Sequence, residues 1–122
     1  MREIMNNNDY YDIDIRIRIK IDNIVTYGSG ISELLQKIDQ LGSINKAAQN
    51  IGMNYKKALN IIKRAEAKLG KKLIEKSIGG TKGGGSELTQ FGKFFVYQFN
   101  AVEEDVKKYA LELIKKSFKE FE

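Results

Sequence analysis

The stretch from Gly42 to Gly70, GSINKAAQNIGMNYKKALNIIKRAEAKLG, limits what this chain can fold into more than any other. It reads as two helices joined by a tight turn. The first runs from about Ile44 to Asn50 with Ser43 as its N-cap, the second from about Tyr55 to Lys68 with Asn54 as its N-cap. Ser and Asn suit these positions because their side-chain oxygens accept from the orphan backbone N–H groups of a first helical turn. Gly52 follows the first helix, where a left-handed backbone costs glycine nothing.

The apolar spacing gives each helix a buried face. Ala47, Ala48 and Ile51 share one side of the first; Ala58, Ile62, Ala65 and Leu69 form a stripe on the second. The alanines allow the helices to cross closely and steeply, as in a helix-turn-helix. Tyr55, Lys56, Lys57, Asn60, Lys63 and Arg64 are left on the outer face, where such side chains can reach phosphates and base edges. Taken by itself, the stretch is equally compatible with an ordinary αα-hairpin carrying a solvated basic face.

Charge separates the two readings. The chain of 122 residues carries a formal net charge of +5. Nine of its basic residues and only two of its acidic ones, Glu66 and Glu75, lie between Asn54 and Lys82, so that span holds +7 and the remainder −2. A basic band confined to the second helix and the segment after it is the footprint of a nucleic-acid face; a generally basic surface spreads its charge. The absence of Cys and His removes thiol nucleophiles, disulfides, the usual zinc ligands and the commonest general base. Neighbouring acids such as Glu103 and Glu104 point apart on a helix, so no paired-carboxylate site is expected, and the chain is read as a non-enzyme without cofactor or metal. With no secretory pattern and no long apolar run, it is expected to be cytoplasmic and to bind no membrane.

The flanking segments complete an architecture. Residues 1–12 read as a flexible, Asn-rich N-terminus. Ile13, Ile15, Ile17, Ile19 and Ile21 alternate strictly with polar residues, the period of a half-buried strand. Asp22-Asn23 can make a tight turn into a short return strand, Ile24 to Tyr27. Arg16, Arg18 and Lys20 share the outer strand face, which is read as solvated rather than as flanking phosphates. Ser29 can cap a support helix from about Gly30 to Leu41, with Ile31, Leu34, Leu35, Ile38 and Leu41 as its stripe. After Gly70, Leu73 to Ser77 reads as a short strand and Glu87-Leu88 as its return. The intervening IGGTKGGGS lacks the G-x-x-x-x-G-K-[S/T] of a nucleotide loop and the G-x-G-x-x-G of a dinucleotide fingerprint. It reads instead as a wing whose glycines let the backbone approach a phosphate, with Thr81 and Lys82 at its tip.

Thr89 caps a last helix, from about Gln90 to Phe118, that would span about 45 Å. Phe95, Phe99, Val102, Val106, Tyr109 and Leu113 fall at alternating spacings of four and three, a seam suited to another helix, although the first turns of this helix are expected to fold back on their own domain. Residues 13–88 are thus expected to form a winged helix-turn-helix and residues 89–122 a dimerisation helix. The fold class is α+β, mainly α, with an N-terminal β-hairpin.

The stretch GSINKAAQNIGMNYKKALNII followed by LGKKLIEKSIGGTKGGGSELTQFG resembles the DNA-binding domain of the molybdate-responsive ModE-type regulators, and more distantly LysR-type helix-turn-helix domains. The GSI start, the AA pair, the G-M-x-Y-K entry to the second helix, the glycine-rich wing and the L-T-x-x-G entry to the last helix occur in order. The resemblance covers about Ile13 to Tyr97. It implies a transcriptional regulator that binds palindromic double-stranded DNA as a homodimer. Asn54, Tyr55, Lys56 and Lys57 match the start of the family's reading helix, and Gly79 to Gly85 its wing. Ser43, Asn45 and the wing would meet the backbone, Tyr55, Lys56, Lys57 and Asn60 the groove, and Lys63 and Arg64 further phosphates. The wing lysine sits one place later than usual, and Leu59 replaces an aromatic residue common in the reading helix. The family's ligand-binding region has no counterpart in this sequence, so molybdate sensing is not expected of it. Two other uses of the same fold stay open at this point: a protein-interaction module, and architectural DNA binding without sequence preference.

Overall fold

A computed structural model describes residues 12–77 and 85–119. They form β1 (Arg18–Ile21), β2 (Ile24–Gly28), α1 (Ser29–Leu41), α2 (Ile44–Asn50), α3 (Tyr55–Leu69), β3 (Ile74–Lys76), β4 (Ser86–Leu88) and α4 (Gln90–Phe118). The chain divides into two units. One is Ile17–Phe99; the other joins the described residues before it to those of α4 from Asn100 onward.

Within the first unit, β1 and β2 form an antiparallel hairpin with a bulge at Ile19/Lys20. Asp22 and Asn23 both take positive φ, 53° and 62°, the backbone that lets a two-residue turn follow the strand twist. The expected strand from Ile13 is shorter than its alternation: only Arg18–Ile21 pair, because β2 offers five residues as a partner. The isoleucines from Ile13 to Ile21 are still half-buried and their polar neighbours exposed, as the period-two pattern requires.

Ser29 is the first residue of α1 and not its cap. Gly28, fully extended at φ −170°, occupies the capping position and supplies no side-chain bond. Leu34, Leu35 and Ile38 of α1 are fully buried, whereas Leu41 at its end is exposed. Ala47 and Ala48 of α2 meet Ala58, Ile62 and Ala65 of α3 in the same cluster, all with no solvent exposure. Tyr27 closes the other side, its ring 4.4 Å from that of Phe95 and 4.9 Å from that of Phe99.

The base of the wing hairpin is tied down on two sides. The Ser86 N–H donates to the Gly42 carbonyl at 2.9 Å, fixing β4 to the α1–α2 junction. The Thr89 N–H donates to the Leu73 carbonyl at 3.0 Å, and the Thr89 hydroxyl donates to the Lys72 carbonyl at 2.7 Å while accepting from the Gly92 N–H at 2.9 Å. Thr89 is therefore the α4 cap, as its position before the apolar run predicts.

Phe95 and Phe99, expected to begin a seam for a second chain, pack into the unit's own core; Phe99 is 4% exposed. Tyr27 on β2 claims them, a partner that helical spacing does not reveal. Farther along α4, in the second unit, Val102, Val106, Tyr109 and Leu113 are 49%, 39%, 63% and 43% exposed.

In that second unit Lys107 Nζ donates to Asp12 Oδ2 at 3.0 Å, and the Ile13 N–H donates to Asp12 Oδ1 at 2.8 Å. The lysine, then the backbone N–H, hold the Asp12 carboxyl below its ordinary range, and the same hydrogen bond raises Lys107. The stabilisation from Asp12 is present above its unfolded pKa and lost as pH falls through the lowered folded value. That from Lys107 is present below its unfolded pKa and lost as pH rises through the raised one. Asp12 is exposed and Lys107 half-exposed, so solvent screens the pair and it adds little at neutral pH. Lys107→Gln is expected to move the Asp12 carboxyl titration upward, followed by carbon-detected NMR, with little change in neutral-pH stability. An unmoved Asp12 titration would contradict the pairing.

Candidate nucleic-acid interface

The two caps of the helix-turn-helix form as the sequence requires. Ser43 Oγ accepts from the Lys46 N–H at 3.2 Å, and Asn54 Oδ1 accepts from the N–H groups of Lys56 and Lys57 at 2.8 and 3.3 Å. Gly52 (φ 75°) makes the turn and Gly70 (φ 76°) ends α3. With Ala58, Ile62 and Ala65 inward, the geometry of a helix turns Lys56, Lys57, Asn60, Lys63 and Arg64 outward, and all five are exposed.

The basic band divides into two groups. Lys68 Nζ lies 3.2 Å from Asp22 Oδ2, Lys72 Nζ 3.8 Å from Glu66 Oε1, and Lys71 Nζ 5.3 Å from the centre of the Phe91 ring. These three are engaged by the protein itself. Among the described residues, Lys56, Lys57, Lys63 and Arg64 have no carboxylate partner. Lys76, exposed on β3, has none either, so among the described residues of the band the unneutralised charge sits on the outer face of α3 and on the first strand of the hairpin.

Beside the start of α3, Ser43, Ile44, Asn45, Tyr55 and Ser86 line an open notch. The fold thus brings together three of the residues singled out from sequence and adds one from β4. Ser86 is not legible as a site residue, because the wing strand is placed there by its pairing with β3 and by the Ser86–Gly42 backbone bond, which residue spacing does not reveal. Thr81, Lys82 and the wing glycines from Gly79 to Gly84 lie outside the described residues. Among the described residues no group of acids could hold a metal ion, and no helix is long and apolar enough to cross a membrane.

A three-helix core with a closely packed α2–α3 pair, a short hairpin after α3 and an outward basic helix face defines a winged helix-turn-helix protein. Residues 32–93 match the family model of the bacterial regulatory helix-turn-helix proteins of the lysR family. The chain belongs to that family. It is 33% identical over 90 residues to the molybdenum transport protein ModE of Azotobacter vinelandii, covering 70% of this chain and 33% of that one. It is 30% identical over 90 residues to the transcriptional regulator ModE of Haemophilus influenzae, covering 74% and 35%. A molybdenum transport protein ModE of Herbaspirillum seropedicae is 45% identical over 56 residues, 46% of this chain and 21% of that one. The chain thus spans about a third or less of the length of these relatives.

Proposed function

We propose that this chain binds double-stranded DNA as a sequence-specific transcriptional regulator and does so as a homodimer. The observation that carries the reading is the row of unneutralised cations with Asn60 on the outer face of a capped second helix. In this reading α3 enters the major groove of one half-site, and a second copy places its own α3 in the next groove, about 34 Å away. Tyr55, Lys56, Lys57 and Asn60 face base edges. Ser43, Asn45 and Ser86, at the notch beside the helix start, meet the sugar–phosphate backbone, as do Lys63 and Arg64 farther along. The relatives named as regulators support the regulatory role. The proposal covers DNA and a second copy of the chain, not an oxyanion ligand.

Enrichment of bound sequences from a random duplex pool tests it directly. A palindromic consensus with half-sites one helical turn apart is the expected result; a pool that stays unenriched would sink the sequence-specific reading. On that consensus, Lys57→Ala and Asn60→Ala are each expected to relax discrimination by about 1–3 kcal/mol for each base pair no longer read. Lys63→Ala and Arg64→Ala should instead weaken all duplexes alike and lower the salt slope by about 1 each. Binding isotherms across salt and sequence separate the two patterns, and a reversed pattern would refute the division of roles.

A further inference from the structure

Glu66 is one of only two acids in the basic band, and its side chain is 10% exposed. It lies on the flank of α3 and not on its outer face. Its Oε2 accepts from the Leu73 N–H at 2.8 Å and from the Ile74 N–H at 3.3 Å, the two residues that begin the wing hairpin. Its Oε1 faces Lys72 Nζ at 3.8 Å. Leu73 is fully buried, so its N–H has no water to turn to if the carboxylate is removed. On the other side of Leu73, the Thr89 N–H at the head of α4 holds the carbonyl. The wing root is thus gripped from both sides, by the reading helix and by the long helix.

We infer that Glu66 is the positioning residue that fixes the pitch of the β3–β4 strands against α3, so that those strands and the helix address a duplex together. The inference rests on the DNA-binding reading for its consequence, but its geometry belongs to the free protein. Glu66 touches no DNA. A single oxygen accepting two adjacent N–H groups ties the start of the hairpin back to α3 across Gly70, the left-handed residue (φ 76°) that ends the helix. Removing the carboxylate takes away the tie to α3 and leaves the hairpin held through Ser86 and Thr89, so that Lys76, exposed on β3, can shift relative to the outer face of α3.

The test uses the whole chain and two variants, Glu66→Ala and Glu66→Gln. The glutamine carbonyl can occupy the Oε2 position and accept both N–H groups, so it is the rescuing change. Residual dipolar couplings report the orientation of the hairpin backbone relative to α3. For the wild type and Glu66→Gln, couplings from Ile74–Lys76, Ser86–Leu88 and α3 should fit a single alignment. For Glu66→Ala the hairpin should require its own, and the Leu73 amide should lose hydrogen-exchange protection. If Glu66→Ala fits the wild-type alignment, the inference is overturned. Should Glu66→Ala fail to fold, Glu66→Gln alone decides: a hairpin that departs from the wild-type alignment despite an intact acceptor counts against it, and a retained alignment supports it. On DNA, Glu66→Ala should lower the salt slope by about one for each phosphate that the wing no longer reaches, with Glu66→Gln restoring it. A merely destabilised protein would instead lose active fraction at every salt concentration without altering the slope. An unchanged slope in a folded Glu66→Ala protein overturns the inference. A wild type that binds no duplex overturns the DNA-binding reading, while the couplings still decide the role of Glu66.

Discussion

Gly92→Ala is expected to be among the most damaging single methyl groups that could be added to this chain. An ideal Cβ at Gly92 would stand 2.2 Å from the Leu73 carbonyl oxygen, 3.2 Å from its carbonyl carbon and 3.4 Å from its Cα. All three are backbone atoms, so no rotamer change relieves the overlap. Leu73 cannot retreat either: its N–H is held by Glu66, its carbonyl by Thr89, and its side chain is sealed in the core. Overpacking of a well-filled site costs about 1–3 kcal/mol, and the lack of any yielding side chain places this case at the upper end. For a domain of this size that is a large part of a total stability of about 5–15 kcal/mol, and it should lower the melting temperature by about 10 °C or more. Gly30→Ala is the control of opposite sign. Nothing lies within 4 Å of its added Cβ, and Gly30 sits in the first turn of α1. Restricting the unfolded chain there should stabilise by about 0.4–1 kcal/mol. Urea denaturation with an unchanged m-value would register both effects. A Gly92→Ala protein as stable as the wild type would mean that α4 does not seat on Leu73.

The sequence makes legible what is decided within a few residues, and the fold supplies the rest. Ser43 and Asn54 cap their helices because the cap bond reaches only two or three residues ahead. Asp22-Asn23 makes its turn because both residues tolerate positive φ. Ala58, Ile62 and Ala65 are buried because one helical stripe can face only one way. The outer face follows from that stripe by geometry alone, which is why Lys56, Lys57, Asn60, Lys63 and Arg64 emerge together on the outside.

Features that depend on a distant partner are not legible. The alternating isoleucines carry no record of the length of β2, so β1 reads longer than it is. Gly28 takes the cap position because the helix begins one residue earlier than the serine suggests, which places Ser29 inside its first turn. Phe95 and Phe99 obey a heptad, but Tyr27, far away in sequence, takes them into the core. In the sequence Lys68, Lys71 and Lys72 look equal to Lys63; in the fold Asp22, Phe91 and Glu66 stand beside them. For Glu66 there is one signal: an isolated acid in a strongly basic stretch needs a reason, and its reason is a pair of backbone N–H groups after the turn.

Placing glutamate at both Val106 and Tyr109 is expected to separate the proposed dimer without harming either chain. Both side chains are exposed within the chain, so the substitutions remove little of its own packing and should leave its stability within about 0.5 kcal/mol of the wild type. Phe99→Glu, by contrast, would bury a charge in the core and unfold it. In a two-fold interface each introduced carboxylate occurs twice on the same self-complementary patch, so repulsion adds to the loss of apolar burial. The effect on DNA then follows from linkage. A dimer presents its second reading helix at a high effective concentration once the first is seated, a gain of about 10²–10⁴ in affinity for a site with both halves. The double variant should lose a factor of that order on the palindrome while binding an isolated half-site as the wild type does. Sedimentation velocity gives the assembly state and titration of the two duplexes gives the ratio. Equal losses on palindrome and half-site would show that the substitutions injured the reading head. A wild type that sediments as a monomer at every concentration, or a double variant that remains a dimer, would remove Val106 and Tyr109 from the interface.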